Sequence, residues 1–297
     1  MRAIAVLLVL TLASSARADT RALAEARAVL PAKLAWIGGA NLTDPAVRTI
    51  ARNLWRRAPQ QQVLADGLTK SCGGDLPDLV DSVVVASFDE ESEQTVLVIG
   101  LATLRRDTFE KCLRDVFVGW GDHVDITREG DVSRYTVASG GSFSARWLAD
   151  DVLAAGASDD AALLAKMTAG GFANDRRMKA LVAKVVVDAP LWAAVAEPGT
   201  LESLGEAPAS AWGAITIVKG DLRGEASLEM RSAATATRAL ARMKTALVDL
   251  RKELGALGPF LDKVTATVKA RTLRVTVTIT DADIAAAMKA LAGLSHQ

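Results

Sequence analysis

The sequence has few of the residues on which most catalytic and metal sites depend. It contains 2 histidines and 2 cysteines in 297 residues, and aromatic residues make up 4% of it. Transition-metal sites gather several His or Cys ligands, so this composition argues against one. Sequence motifs for a zinc-protease helix, a phosphate-binding loop and a dinucleotide-binding loop are absent as well. We therefore predict no catalytic residue, no metal and no cofactor.

A net charge of one sign is also lacking. The 35 basic residues balance 35 acidic ones, and the two signs alternate along most segments. Proteins that bind nucleic acid usually carry a basic stripe that displaces counterions from phosphates. Docking to an anionic membrane surface likewise requires a polybasic patch. The charge pattern therefore predicts no nucleic-acid partner.

No apolar run is long enough to span a membrane, which takes about 20 residues. The apolar stretch 3–13 follows Arg2 and precedes the small-x-small motif Ala16-Arg17-Ala18. This order is typical of a secretory signal peptide. We expect residues 1–18 to be removed by cleavage after Ala18. The mature chain would then be periplasmic or extracellular, with no integral membrane segment.

The two cysteines, Cys72 and Cys112, predict a disulfide bond. A lone pair of cysteines in an oxidising compartment usually forms one. The alternatives are a thiol nucleophile and a metal ligand, for which only His123 lies within easy sequence reach. His123 is flanked by carboxylates, which makes a general base the alternative interpretation; we favour a solvated loop residue.

Ala, Val and Leu occur in two periodicities, one of strands and one of helices. Residues 82–88 and 95–101 predict a hairpin, and 105–118 predict an amphipathic helix. A strand at 183–187 precedes a Pro- and Gly-bearing stretch, 190–210, which we interpret as a linker. The second half predicts strands and helices in the order 211–218, 222–230, 233–254, 262–269, 272–280 and 281–291.

These elements predict an α+β fold made of two related units, 19–189 and 211–297. Both halves follow the order strand, then ββαββα, with 183–187 as the first strand of the second half, which suggests an internal duplication. Antiparallel sheets with helices packed on one face are expected in both. The second-half strands alternate apolar and polar residues, so one face of that sheet should meet water.

The first-half hairpin is apolar on both faces and must therefore be covered twice, by helices, by the other half or by a ligand. We select Val84, Val96 and Val98 as candidate residues that line a site for a small apolar ligand. Such sites are usually clefts between packed units.

Three carboxylates, Asp75, Asp78 and Asp81, recur at every third position. Calcium prefers oxygen ligands of this type, although the spacing is not that of a calcium-binding loop. We keep these residues as a calcium hypothesis.

The helix around Leu240–Leu257 carries leucines at the 3-4 spacing of a coiled coil. The pattern lasts less than three heptads, so we favour packing of this helix on its own sheet. A homodimer formed through this helix is the alternative.

Together these observations predict an exported, non-enzymatic protein that binds a partner protein or a small apolar ligand. Two alternatives remain open. One is an envelope hydrolase whose paired carboxylates meet only in the folded chain. The other is a homodimeric structural scaffold.

Overall fold

The computed structural model describes residues 19–56, 59–88, 95–156, 171–199, 204–253 and 255–280. It also describes six single residues, Leu164, Met167, Leu201, Ala282, Asp283 and Ala286. The predicted signal peptide, 1–18, lies outside these residues, as does most of the predicted last helix, 281–291.

Within the described residues, helices pack on an antiparallel sheet of 12 strands, so the predicted α+β class is confirmed. The helices are α1 (Arg21–Val29), α2 (Pro45–Trp55), α3 (Pro59–Cys72), α4 (Leu76–Leu79), α5 (Arg106–Gly119), α6 (Gly171–Asn174), α7 (Arg176–Val182), α8 (Ala233–Glu253) and a 3-10 helix (Gly255–Lys263). The strands are β1 (Trp36–Asn41), β2 (Val80–Ser87), β3 (Thr95–Leu101), β4 (Val124–Glu129), β5 (Val132–Val137), β6 (Ser142–Ala149), β7 (Val152–Gly156), β8 (Leu191–Val195), β9 (Ser210–Val218), β10 (Asp221–Glu229), β11 (Thr265–Lys269) and β12 (Thr272–Ile279).

The strand order is β11-β12-β10-β9-β8-β1-β2-β3-β7-β6-β5-β4. Outward from the central β1–β8 pair, the first half runs β1-β2-β3-β7-β6 and the second half runs β8-β9-β10-β12-β11. A helix follows the third strand in both halves, α5 after β3 and α8 after β10. The hairpin of β4 and β5 extends the first half only. The two halves therefore share one connection pattern.

One stretch of the chain differs from its prediction. Residues 183–187, predicted as a strand, form turns whose Val185 and Val187 are buried. The strand lies instead at Leu191–Val195, inside the predicted linker, where it pairs with both β1 and β9. This short segment contains alanine and has a weak intrinsic preference for a strand. Hydrogen bonds from two neighbouring strands outweigh that preference.

The sheet has two faces, because successive side chains on a strand point in opposite directions. We call the face that carries Leu191, Ala193 and Val195 the front face, and the opposite one the back face. The back face is packed around Ile37, Trp192 and the first-half hairpin, under α1, α6 and α7. Ala22, Leu23 and Ala26 of α1 are fully buried there.

Helices α3, α4 and α5 cover the front face of the first half. Their apolar residues pack on Leu101, Trp147 and Leu153. Both faces of the first-half hairpin are thus covered, as its sequence predicts. Helices provide the cover on each face. Cys72 of α3 and Cys112 of α5 form the predicted disulfide, with their Cα atoms 5.1 Å apart.

In the second half, α8 covers only the outer part of the front face. Ala236, Ala239 and Met243 of α8 pack on Leu228 and Leu273. The back face of β10 and β12 is polar and carries alternating threonines and charged residues. The predicted alternation of the second half is therefore present.

Candidate functional site: an apolar groove

An open apolar groove lies on the front face of the second half, between α8 and the centre of the sheet. Its volume is about 500 Å³. The floor consists of β8, β9, β10 and β12, and Val264 stands at its margin. The side chains that the floor turns to the front are Leu191, Ala193, Val195, Ala211, Ile215, Ala226, Leu228, Val275 and Val277, with Gly213 and Gly224 between them.

A row of small residues forms the bottom of the groove. Ala193, Gly213 and Ala226 face one another across three adjacent strands. Larger residues stand on both sides of this row, so the small residues create a channel that crosses the strands. Gly213 has no room for a side chain, because a Cβ atom there would lie 2.5 Å from the carbonyl oxygen of Glu225.

The floor is exposed to an unusual degree for the middle of a large sheet. Leu191 is 50% exposed and Ile215 is 38% exposed, although both belong to strands with a hydrogen-bonded neighbour on each side. Glu225 and Thr276 contribute backbone to the groove, since their side chains alternate to the back face. There Glu225 pairs with Arg274 at 2.5 Å. The front face of the floor is therefore apolar.

The difference between two equivalent connections explains why the groove is open. The β1–β2 connection contains α2, α3 and α4, and the last two pack on the front face of the first half. The corresponding β8–β9 connection spans only 196–209, and its described residues form turns and one bridge between Leu201 and Glu206. Among the described residues, the second half thus shows no counterpart of the helix layer that covers the first.

The structure places the predicted ligand-lining residues elsewhere. Val84, Val96 and Val98 are each 0% exposed and lie in the packed core of the back face. They contact the helices above them and do not line the groove. Apolar residues on both faces of a strand indicate double coverage, which two helix layers provide here.

Each of the three carboxylates of the calcium hypothesis pairs with a different arginine side chain. Asp75 accepts a hydrogen bond from the Leu76 backbone at 2.7 Å, which caps α4, and pairs with Arg56 at 2.6 Å. Asp78 pairs with Arg52. Asp75 holds the pKa of Arg56 above its usual value by hydrogen bonding and charge.

The third carboxylate, Asp81, accepts a hydrogen bond from Ser82 at 2.5 Å and lies 3.6 Å from Arg21. Its partners hold helix α1 against the sheet. In the part of the chain that the structure describes, no group of three His, Cys, Asp or Glu residues is arranged to hold a metal ion.

His123 lies in an exposed loop, where its Nε2 atom is 3.0 Å from the carboxylate of Asp125.

Leu240 and Met243 of α8 pack against the second-half core, while Leu250 is 40% exposed. Packing of α8 on its own sheet agrees with the interpretation that we favoured. The homodimer stays a prediction.

One buried acid was not identified from the sequence. Glu110 of α5 is fully buried, accepts a hydrogen bond from Ser133 at 2.6 Å and pairs with Arg128 at 2.5 Å. Glu110, followed by Asp107, raises the pKa of Arg128 through hydrogen bonding. This closed network ties α5 to β4 and β5, and is structural.

Comparison with known proteins gives the fold and no family. No family model matches the chain, and no curated protein does. The similar solved structures include crystal forms III and I of a protein called TP0453. The form III match has a TM-score of 0.52 at 9% identity and covers 92% of this chain and 98% of that one. Form I gives 0.50 at 10% identity, with 92% and 96% covered.

At such low identity the likeness concerns the fold alone. Among the described residues, no helix combines the length and apolar character needed to cross a bilayer.

Proposed function

We propose that this chain is an exported binding protein that holds the hydrocarbon chain of an apolar ligand in its front-face groove. The observation that carries the proposal is the open apolar floor on central strands, with a volume of about 500 Å³. Small-molecule sites typically measure roughly 300–1,000 Å³ and have mostly apolar linings. Contiguous exposed apolar surface on a protein commonly marks a binding site.

The shape of the floor favours a linear chain. The row of Ala193, Gly213 and Ala226 forms a channel across the strands, flanked by Leu191 and Ile215 on one side. An unbranched hydrocarbon fits such a channel better than a bulky ring system does. Burial of each methylene stabilises the complex by about 0.8 kcal/mol. Saturated fatty acids are therefore the simplest probes of the groove.

Affinity for saturated fatty acids is expected to rise with chain length, by about fourfold for each added methylene until the groove is full. Calorimetric titration of the chain from Asp19 onward with acids of increasing length measures this slope. Charged head groups are the same throughout the series and serve as the internal control. An affinity independent of length, or no binding of any member, would contradict the proposal.

Export is supported by the signal-peptide pattern of residues 1–18 together with the Cys72–Cys112 disulfide. Disulfides form and persist mainly in oxidising compartments, which include the periplasm and the extracellular space. The shared connection pattern of the two halves supports an internal duplication in which only the first half gained a full front layer.

A partner protein is the second candidate for the groove, since Leu191 and Ile215 are exposed side by side on neighbouring strands. Fatty acids would compete with such a partner for the same floor. Failure of every fatty acid to bind would favour this candidate over the carrier function.

A further inference from the structure

A second cleft lies on the back face of the second half, on the side of the sheet opposite the apolar groove. Its floor is formed by back-facing residues of β9 and β10, from Thr216 and Arg223 at one end to Ser210 and Glu229 at the other. The end of α7 and the turn at 184–186 form a wall. Two cavities of about 290 and 330 Å³ share Lys184 and make up one continuous cleft, which we call the back-face cleft.

Cations outnumber carboxylates in the back-face cleft. Its two carboxylates are Glu225 and Glu229. The lining cations are Arg177, Lys184, Arg223, Arg231 and Arg271. Just outside the cleft, Glu197 pairs with Arg177. Arg274 pairs with Glu225, so these two outside partners offset each other. An excess of cations in a cleft concentrates anions there.

Glu229 fixes the positions of two of these cations. Its carboxylate accepts hydrogen bonds from Lys184 at 3.1 Å and from Ser210 at 3.3 Å, and it pairs with Arg271 at 2.6 Å. The hydrogen bond from Lys184, followed by the charges of Lys184 and Arg271, lowers the pKa of Glu229. The Lys184 ammonium also lies 4.2 Å from the centre of the Trp212 ring. Lys184 and Arg271 are therefore held in place beside the cleft.

Arg223 and Arg231 lie at the two ends of the cleft, and both are exposed. Within the described part of the chain, neither side chain makes an ion pair. Beyond Thr216 the next cavity is lined by Asp44 and Asp188, so the cationic surface ends there. An extended chain from position 223 to position 231 is about 27 Å long. A ligand that reaches both arginines must therefore be elongated and carry several anionic groups.

The shape and lining of the cleft argue against two classes of polyanion. A bilayer surface is flat and does not enter a cleft between a turn and a sheet face. Single-stranded nucleic acids generally bind through exposed aromatic rings on which the bases stack. Trp212 is the aromatic residue among the described residues that line the cleft, and Lys184 lies on its ring. The cleft thus offers cations without a stacking platform.

The polar floor suits a ligand that also carries hydroxyl groups. Thr216 and Ser227 supply hydroxyls on either side of Glu225. A carboxylate has two oxygens that can accept about four hydrogen bonds. The Arg274 guanidinium contacts Oε2 of Glu225, so Oε1 can accept a hydrogen bond from a ligand hydroxyl. A chain that combines carboxylates with many hydroxyls matches this lining, and an acidic polysaccharide is such a chain.

We propose that the back-face cleft binds an acidic polysaccharide, whose carboxylates pair with Arg223, Arg231 and Arg271 and whose hydroxyls bond to the polar floor. This inference does not depend on the proposed function, because the groove and the cleft lie on opposite faces of the sheet. The cations come from α7, β10 and the turn before β12. For that reason they form no basic run in the sequence.

Calorimetric titration with oligogalacturonate, a linear chain of uronic acid units, tests the proposal at low salt. We expect the chain from Asp19 onward to bind it, and the double variant Arg223→Ala, Arg231→Ala to bind about tenfold more weakly. The variant loses two ion pairs with the ligand, and an exposed ion pair contributes up to about fivefold in affinity. The variant should melt at the wild-type temperature, because neither arginine pairs within the described chain.

The double variant Lys70→Ala, Arg114→Ala is the matched control. It removes the same number of charges from exposed positions on α3 and α5, which cover the front face of the first half. Its affinity for oligogalacturonate should equal that of the wild type. Equal weakening in both double variants would show a general effect of net charge and would overturn the proposal.

Other polymers test the class of ligand. We expect dextran, a neutral polysaccharide, not to bind, and polyglutamate, single-stranded DNA and phosphatidylglycerol vesicles to bind more weakly than oligogalacturonate. If the wild type does not bind oligogalacturonate, the proposal is wrong. It is equally wrong if any of the other three anionic probes binds as tightly as oligogalacturonate or more tightly.

Discussion

Replacement of Ala193 by phenylalanine is expected to weaken binding of a saturated fatty acid by about 50-fold. Ala193 lies at the bottom of the channel and is exposed, so a larger side chain fills the space of roughly three methylenes. At about 0.8 kcal/mol for each methylene, the loss is about 2.4 kcal/mol of binding free energy. Fluorescence displacement or calorimetry measures the change.

The substitution should leave the free energy of unfolding nearly unchanged, because the side chain at 193 faces the open groove. Val118→Phe is the matched control, since Val118 is 62% exposed on α5 and does not line the groove. It likewise places a phenylalanine at an exposed position, outside the groove, and should leave the affinity unchanged. Equal affinity of the Ala193→Phe variant and the wild type would show that ligand binds elsewhere.

Removal of the disulfide by the double substitution Cys72→Ala, Cys112→Ala is expected to lower the free energy of unfolding by about 4 kcal/mol. The bond closes a loop with a sequence separation of 40, and the chain-entropy model gives this magnitude for such a loop. For a chain of this size the melting temperature should fall by about 10 °C. Calorimetric or circular-dichroism melting measures the change.

The reduced wild type is the natural control, because its loop is open while both sulfur atoms remain. It should melt close to the double variant. The disulfide joins α3 to α5 on the first half, so the fatty-acid affinity at 25 °C should be unaffected. A shift of less than about 2 °C would mean that the loop is already ordered in the unfolded chain.

The sequence was sufficient to predict features that depend on local pattern or on cysteine count. The hairpin around 82–101 is visible because β-branched runs flank an acidic turn, and the structure contains it as β2 and β3. The Cys72–Cys112 bond follows from two cysteines behind a signal-peptide pattern. The alternation of polar and apolar residues in Thr272–Ile279 likewise predicts that one face of this part of the sheet is exposed to solvent.

The groove could not be predicted, because its residues come from separate strands. Ala193, Gly213 and Ala226 meet only through the register of β8, β9 and β10, and β8 itself lies in a segment with the composition of a linker. Whether a sheet face is open depends on which connection folds over it. The long β1–β2 connection and the short one at 196–209 differ in length, but their positions above the sheet emerge only in the folded chain.

The calcium hypothesis shows a similar limit. The spacing of Asp75, Asp78 and Asp81 is evident in the sequence, whereas their arginine partners lie on other elements. Arg52 and Arg56 come from α2 and its end, and Arg21 comes from α1. Ion pairs of this kind depend on helix packing, which no local pattern specifies.

Photolabelling with a diazirine-bearing fatty acid tests the central claim, that an apolar chain binds in the front-face groove, most directly. We expect label on peptides that contain Leu191, Ala193 or Ile215, and loss of that label in the Ala193→Phe variant. Label confined to the exposed apolar residues Val63 and Val118 of α3 and α5, and unchanged by Ala193→Phe, would contradict the account.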